Sequence, residues 1–570
     1  MPAVRPSTAL GTQEKMAAHG AIVSQYTTHS TCEISAVSDD GDEGGALSSG
    51  PEVNVFSFKQ LGYILQYFSV GLIYGGLPAT SYGLFQGYLN VPAHVFATAK
   101  IVLVMPWAFK FAFGLINDVF PIVGYRRKPY MVLGWSFCSL MLLLLWQTPL
   151  PAPYWCLSNT TGEALTDAKP CNAAAQQQGG RYALMMMAAA LGYVIADVAA
   201  DGLTVEFARR EPIKKRGRTQ TTAYMVRTIG VICATLLVGF GMNGKEYNGS
   251  FDFGLSFNTI CAILALPSTA MVPISWFLID EPRSSVIRTC REYLSMSWAL
   301  LSSRAMLFVL CFQFFSAMIS QITTPAIGPI KRYWAGVQVL QSSLFAIVGH
   351  VLFVIGLALV KKYFLSMDWR CMLMISLVSL QLLDMPFQFL TVFGVVRNQY
   401  FYLGETFLLE IPDAINFVVS TFVIVEMAEN GNEGLVYGLL TTTYNLGQPL
   451  GRAISNQLYT IFRPSLDESS NYIQDTVAFR STVAKSFILS YAFAFSSLFM
   501  LILLPSQKAE AQRRKRVWAH HNNYAVASVM LIGSALVYSL MVNMLSMFPE
   551  TMCLKFAGGG GCDVVEEAEE

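Results

Sequence analysis

The sequence predicts an all-α polytopic membrane protein made of two six-helix halves, with a candidate thirteenth helix after them. Of 570 residues, 54% are hydrophobic and only 13% charged, too few charges to coat a soluble chain of this length. The apolar residues fall in blocks of about 20, the length that spans a bilayer as a helix. Lys and Arg concentrate in alternate loops, as the positive-inside rule requires of a chain that crosses repeatedly. Backbone groups in lipid must bond internally, so the blocks are helices and not loops.

The elements follow in order. Residues 1–58 are rich in Ser, Thr, Gly and Ala, carry the acidic run SDDGDEGG at 38–45 and have no apolar core of signal-peptide type. They predict a disordered cytosolic tail. The first half, 59–279, has apolar blocks near 61–88, 94–117, 130–148, 181–205, 219–241 and 254–279. A charged cytosolic loop occupies 280–304. The second half, 305–504, has blocks near 305–327, 337–360, 370–393, 399–427, 434–461 and 482–504. A basic cytosolic segment, 505–523, leads to the candidate extra span 524–548 and a tail, 549–570. With the amino terminus inside, the cytosolic loops hold 21 Lys and Arg against 9 outside. Thirteen spans then put the carboxyl terminus outside. Asn159-Thr-Thr and Asn248-Gly-Ser are glycosylation sequons in external loops. Cys156 and Cys171 share one of those loops, where an oxidising space permits a disulfide. The membrane expected is the plasma membrane, with an organelle membrane as the alternative.

Net charge is +1, which gives no field pointing to nucleic acid. No HExxH, phosphate loop or nucleotide fingerprint is present, so no metal, cofactor, ATP-driven pump or other enzyme is expected. Oligomeric state is not legible.

The end of the second block reads Gly114-Leu-Ile-Asn-Asp118, then VFPIV, then Gly124-Tyr-Arg126-Arg127-Lys128-Pro-Tyr. Gly114 and Asp118 share one helix face at the cytosolic end. A carboxylate there caps a neighbouring helix while arginines bridge to it, forming a latch that must break when the halves rock. The alternative is a positive-inside anchor with an incidental Asp.

Asp197 and Asp201 share one face of block four. Like charges side by side in a bilayer push at least one toward the protonated form. The pair reads as a proton site or an anchor for an amino-bearing solute; the structural alternative has Arg227 of block five neutralising one of them. Arg227 is itself suited to a solute carboxylate, or else only to Asp197 or Asp201. Block ten carries Glu410 and Asp413 three apart around Pro412; Glu405 reads as an external-boundary residue. Asn445 and Arg452 share a stripe of block eleven, which places Arg452 opposite the block-ten carboxylates. Tyr67 and Tyr74 lie on one face of block one, to stack a flat heterocycle or to pack on glycine. Lys110 reads as a snorkelling lysine, Lys100 as a candidate, and His350 as a weak proton-relay candidate.

The Gly-x-x-x-Asp run followed by Gly and a basic trio resembles the loop signature of the major facilitator superfamily. PIVGYRRKPY at 121–130, IADVAADG at 195–202, Pro412-Asp413 and EGLVYGLLTTTYNLGQPLG at 433–451 are similar to the folate–biopterin transporter family. The likeness runs from about 59 to 505. It implies proton-coupled alternating-access transport of folates, pterins or related solutes, bound between the halves near Asp197, Asp201, Arg227, Glu410, Asp413 and Arg452. The departures are five residues between Asp118 and Gly124, the thirteenth block, the long tail, and KKYFLSMDWR at 361–370, which has lost most of the latch pattern. The alternatives are an unrelated organic solute on the same fold, or a non-transporting receptor or scaffold.

Overall fold

Each apolar block becomes a helix. The computed structural model describes residues 45–91, 93–156, 170–247, 251–283, 289–337, 339–466, 468–545, 551 and 554. The first half comprises α1 (Leu61–Ser81), α2 (Ala93–Val104), α3 (Lys110–Val119), α4 (Lys128–Gln147), α5 (Gly179–Arg209), α6 (Arg218–Gly241) and α7 (Phe257–Phe277). The remainder comprises α8 (Cys290–Leu301), α9 (Arg304–Ser320), α10 (Val339–Leu359), α11 (Trp369–Val392), α12 (Gln399–Met427), α13 (Glu433–Leu458), α14 (Val477–Ser496), α15 (Lys508–Val517) and α16 (Asn522–Leu545). No strand occurs among the described residues. Ten helical stretches are long and apolar enough to cross a membrane, Asn522–Val542 among them. The chain is an integral, multi-pass membrane protein.

The second block differs from expectation in being broken. Pro106 removes a backbone donor, and Met105–Phe109 tightens to a 3-10 turn between α2 and α3. The loop 280–304 contains α8, which starts at a capping box formed by Thr289 and Glu292. The segment 505–523 contains α15, with three basic residues in its last turn.

One buried core lies within residues 55–279, led by Tyr63, Trp135 and Tyr193. Another is built largely from 293–535 but takes in Val119, Val205 and Tyr224. α1 packs on α6, and α4 on α5 and α7; α11 and α10 pack on α12, and α9 on α13. Two seams join the groups: α3 against α13, and α6 against α10. The first seam is a glycine contact. A Cβ on Gly114 would lie 2.2 Å from the Gly434 carbonyl oxygen, and one on Gly438 would lie 2.7 Å from that of Lys110.

The tail reading is corrected in part, since residues 45–57 are held against the α5–α6 loop. The amides of Leu47 and Ser48 donate to the Arg209 carbonyl at 2.9 and 3.1 Å, and Val55 is buried. The end of α5 leaves carbonyls without helical partners, and this segment supplies donors to one of them. Residues 1–44, with the acidic run up to Gly44, lie outside the described residues, as do Asn159 and Asn248.

Candidate functional site

Lys110 opens α3 just after the Pro106 break, eight residues or roughly 12 Å of helix from Asp118 at the cytosolic end. Its Nζ lies 2.7 Å from Asp197 Oδ2 and 2.6 Å from Asp201 Oδ2 on α5. All three side chains are at most 3% exposed. Isolated buried charges of this kind are untenable, and a bridging cation is what makes the pair tolerable. Tyr67 on α1 donates to Asp201 Oδ1 at 2.9 Å, and its hydroxyl also meets Thr204 at 2.7 Å. Asp197 Oδ1 takes no hydrogen bond from any described residue. Trp107 and Tyr437 lay their rings within 4.6 and 5.4 Å of Lys110 Nζ, a geometry that adds cation–π attraction.

Two sequence readings change here. The partner of Asp197 and Asp201 is Lys110, which does not snorkel, because α3 faces α5 and the interior. Lys100, by contrast, is exposed and lies over Phe96. Arg227 forms no ion pair among the described residues. Its guanidinium sits among the rings of Tyr224, Tyr74 and Phe417 at 4.9, 5.7 and 5.8 Å. Its backbone abuts α1, where a Cβ on Gly71 would fall 2.0 Å from the Arg227 carbonyl oxygen. Tyr67 is 1% exposed and edge-on to Tyr63, so its ring is not free to stack a solute. Tyr74 is 42% exposed and stands edge to face with Trp107 at 5.3 Å.

On the second half, Glu410 packs on α10, where a Cβ at Gly349 would lie 2.8 Å from its Oε1. Asp413 is exposed and lies in electrostatic range of Tyr444 on α13. Asn445 is half-buried on α13. Arg452 is not opposite these carboxylates: it is exposed, and its Nε donates to Gln321 Oε1 at 3.0 Å. Its position beyond Pro449 carries it toward the far end of α9. Glu405 shares the Gln388 amide with Asp384 at 2.9 and 3.0 Å.

At the end expected to be cytosolic, Asp118 Oδ2 accepts from the backbone amide of Leu435 at 2.8 Å and from Tyr293 at 3.1 Å. It thereby caps α13, as a carboxylate at a helix amino terminus does. Asp118 Oδ1 lies 2.6 Å from Arg127 Nη2. Arg127 also reaches Glu206 at 3.1 Å and Glu433 at 3.6 Å, and Arg126 reaches Glu433 at 3.5 Å. Lys128 supplies no ion pair among the described residues; its Nζ lies over the Tyr125 ring. Gly124 takes φ +79°, turning the chain so that three successive amides, Arg126 to Lys128, aim at Glu281 at 2.8 to 3.0 Å. Burial pushes the Glu281 carboxyl upward, and the Lys128 amide pulls against it. A second tie across the halves joins Arg216 to Glu426 at 2.8 Å, and Arg216 also donates to the Gly45 carbonyl. Glu206, Glu281, Glu426 and Glu433 are the partners that sequence reasoning missed. The signal available was the surplus of cytosolic arginines, each needing an acid when buried.

On the opposite side, the Cys156 and Cys171 sulfurs are joined, with Cα atoms 5.1 Å apart.

The central cluster gathers two buried aspartates, one lysine and one arginine beside aromatic rings. The cytosolic ties can hold the two groups together on one side. Among known proteins, the chain is 22% identical over 372 residues to the folate-biopterin transporter of Synechocystis, covering 62% of this chain and 65% of that one. It is 21% identical over 376 residues to folate transporter 1 of Plasmodium falciparum, covering 62% and 63%. A probable folate-biopterin transporter of Arabidopsis thaliana matches at 26% over 172 residues, covering 30% and 29%. The chain therefore spans less than two thirds of the length of each of these relatives. The D-xylose-proton symporter superposes with a TM-score of 0.53 at 11% identity, over 80% of this chain and 99% of that one. The same symporter bound to 6-bromo-6-deoxy-D-glucose also gives 0.53 at 11% identity, over 82% and 99%. Residues 71–167 and 151–513 match the BT1 family, and the chain belongs to that family.

Proposed function

We propose that this protein is a secondary active transporter that moves a flat, anionic heteroaromatic solute of the folate or pterin class by alternating access, coupled to protons. The observation that carries the reading is the charge balance at the centre. Lys110 is spent on Asp197 and Asp201, which leaves Arg227 without an ion pair among the described residues, beside the rings of Tyr74 and Tyr224. A guanidinium there suits a solute carboxylate bidentately, and Tyr74 offers a ring face for a heterocycle. Glu410 and Asp413 on α12 suit ring N–H donors. Names of the relatives support the solute class.

Lys110, Arg227, Asp197 and Asp201 sum to zero charge when both aspartates are ionised. A proton taken up by one aspartate leaves a net positive cluster, which attracts an anion more strongly. Solute and proton therefore bind better together, which is the coupling. The Asp118–Arg127–Glu433 and Arg216–Glu426 ties would hold the cytosolic side shut and would have to break for release inward. The two sequons and the Cys156–Cys171 loop on the expected external side support a plasma-membrane location.

The test is uptake of labelled folate and biopterin into proteoliposomes, with and without an imposed pH gradient. Uptake that is stimulated by an inward proton gradient is expected. Uptake of neither solute under either condition would overturn the solute class, and uptake indifferent to the gradient would overturn the coupling.

A further inference from the structure

The cytosolic end of α9 forms a feature that the transport reading leaves unused. Leu307, Phe308, Cys311 and Phe315 on α9, with Met500 and Leu503 after α14, line a groove of about 380 Å³ that is wholly apolar. From Leu307 to Phe315 it runs roughly 12 Å along the helix. Its cytosolic mouth is Phe308, and cations crowd that mouth. Arg304 places its guanidinium 5.1 Å from the Phe308 ring and 5.1 Å from the Trp518 ring. Phe308 and Trp518 stand edge to face at 5.1 Å. Arg514 lies 4.7 Å from Trp518 on its other approach and donates to the carbonyl of Leu503, a groove residue, at 3.1 Å.

The charges here are not balanced. Glu510 neutralises Arg514 at 2.5 Å, but Arg304 is exposed and forms no ion pair among the described residues. The Arg304 backbone is fixed by the Ala519 carbonyl at 3.2 Å, so its guanidinium is presented, not trailing. A tryptophan beside arginines marks the headgroup level of a bilayer. Basic pockets at helix ends on the cytosolic side attract anionic headgroups.

We propose that this groove binds one anionic phospholipid. An acyl chain lies between Leu307, Phe315 and Met500, and the phosphate sits at Arg304 beside Trp518. An apolar channel alone would accept any lipid; the uncompensated guanidinium of Arg304 at its mouth sets the preference for net negative charge.

The full-length protein, reconstituted in nanodiscs of phosphatidylcholine with or without phosphatidylserine, tests this by native mass spectrometry of retained lipid. Wild type is expected to retain phosphatidylserine several-fold over phosphatidylcholine. Arg304→Ala should remove that preference while leaving the melting temperature in phosphatidylcholine discs unchanged. Cys311→Trp, which fills the groove, should lower retention of both lipids. If Arg304→Ala does not fold, Arg304→Gln carries the charge test. Equal retention of the two lipids by wild type would overturn the proposal, as would retention unaffected by both variants. Inorganic phosphate that displaces the bound species as well as the lipid does would make the mouth a soluble-anion site and overturn the lipid assignment.

Discussion

Lys110 Nζ stands 2.6 Å from Asp201 Oδ2, on a helix 91 residues earlier in the chain, with both side chains nearly inaccessible. Removing the cation leaves two carboxylates buried against each other. Lys110→Met is expected to cost about 3–5 kcal/mol of folding stability, the range for breaking a buried ion pair from one side. The triple variant Lys110→Met, Asp197→Asn, Asp201→Asn should regain most of that and still not transport. Melting of the purified variants alongside uptake checks both parts. A Lys110→Met protein as stable as wild type would refute the pairing.

Gly114 and Gly434 touch where α3 crosses α13, and a methyl group has no room there. Gly114→Ala should penalise the cytosol-closed form by about 1–3 kcal/mol, a shift of roughly 5- to 150-fold toward the cytosol-open form. The alkylation rate of a reporter Thr442→Cys, buried in the closed form, reads this directly and should rise by that factor. An unchanged rate would mean that α13 yields without opening the gate.

How much of this was legible in the sequence depends on range. The helices follow from apolar blocks, a local property, and even the break before Lys110 has a local cause in Pro106. The latch was half legible: Gly114, Asp118 and the basic trio lie within 15 residues of sequence, so their meeting is a local turn. Glu433 and Leu435, which complete it, lie more than 300 residues away, and no periodicity specifies which helix end arrives there. The same holds for Lys110. A lysine in an apolar block reads as snorkelling unless it is known which helix it faces. Arg227 was nearer to the aspartates in sequence than Lys110, but the direct ion pairs go to Lys110. Arg452 failed for a related reason, since a stripe on α13 does not fix the depth of its partner.

Asp475 lies outside the spanning helices, between Arg397 and Arg480 at 2.5 Å each. Burial pushes its carboxyl up, but hydrogen bonds from Arg397 and Arg480 outweigh it and draw it down to about 2. A folded value below the unfolded one means that the contribution is full above about pH 4 and is lost as pH falls toward 2. Asp475→Asn should therefore lower the melting temperature at pH 7 and make a shrinking difference below pH 4. A difference independent of pH would assign the loss to packing.

Cys156 and Cys171 are expected to appear as one cross-linked peptide when unreduced digests are mapped by mass spectrometry. Tyr154, whose carbonyl accepts from the Cys171 amide at 3.0 Å, already brings the two ends of this loop together. Two free thiols in protein from an oxidising compartment would exclude the bridge.

Arg227 separates the binding role from the structural one. Were it the counter-ion of the aspartates, removing its charge would strand them and harm folding as well as transport. Lys110 already fills that place, and Arg227 touches aromatic rings instead of carboxylates. Arg227→Met should therefore fold at near wild-type yield, since the thioether side chain still packs on Tyr74, Tyr224 and Phe417. Its affinity for an anionic solute should fall by 10-fold or more, on the order of the 1.5–3 kcal/mol of a charge-assisted hydrogen bond. Arg227→Lys keeps the charge but loses the planar fork, and should recover only part of that affinity. Solute binding measured on folded protein by calorimetry, beside melting temperature, distinguishes the cases. Parallel loss of stability and binding in Arg227→Met would return Arg227 to the aspartates. Intact binding would move the anion site away from Arg227.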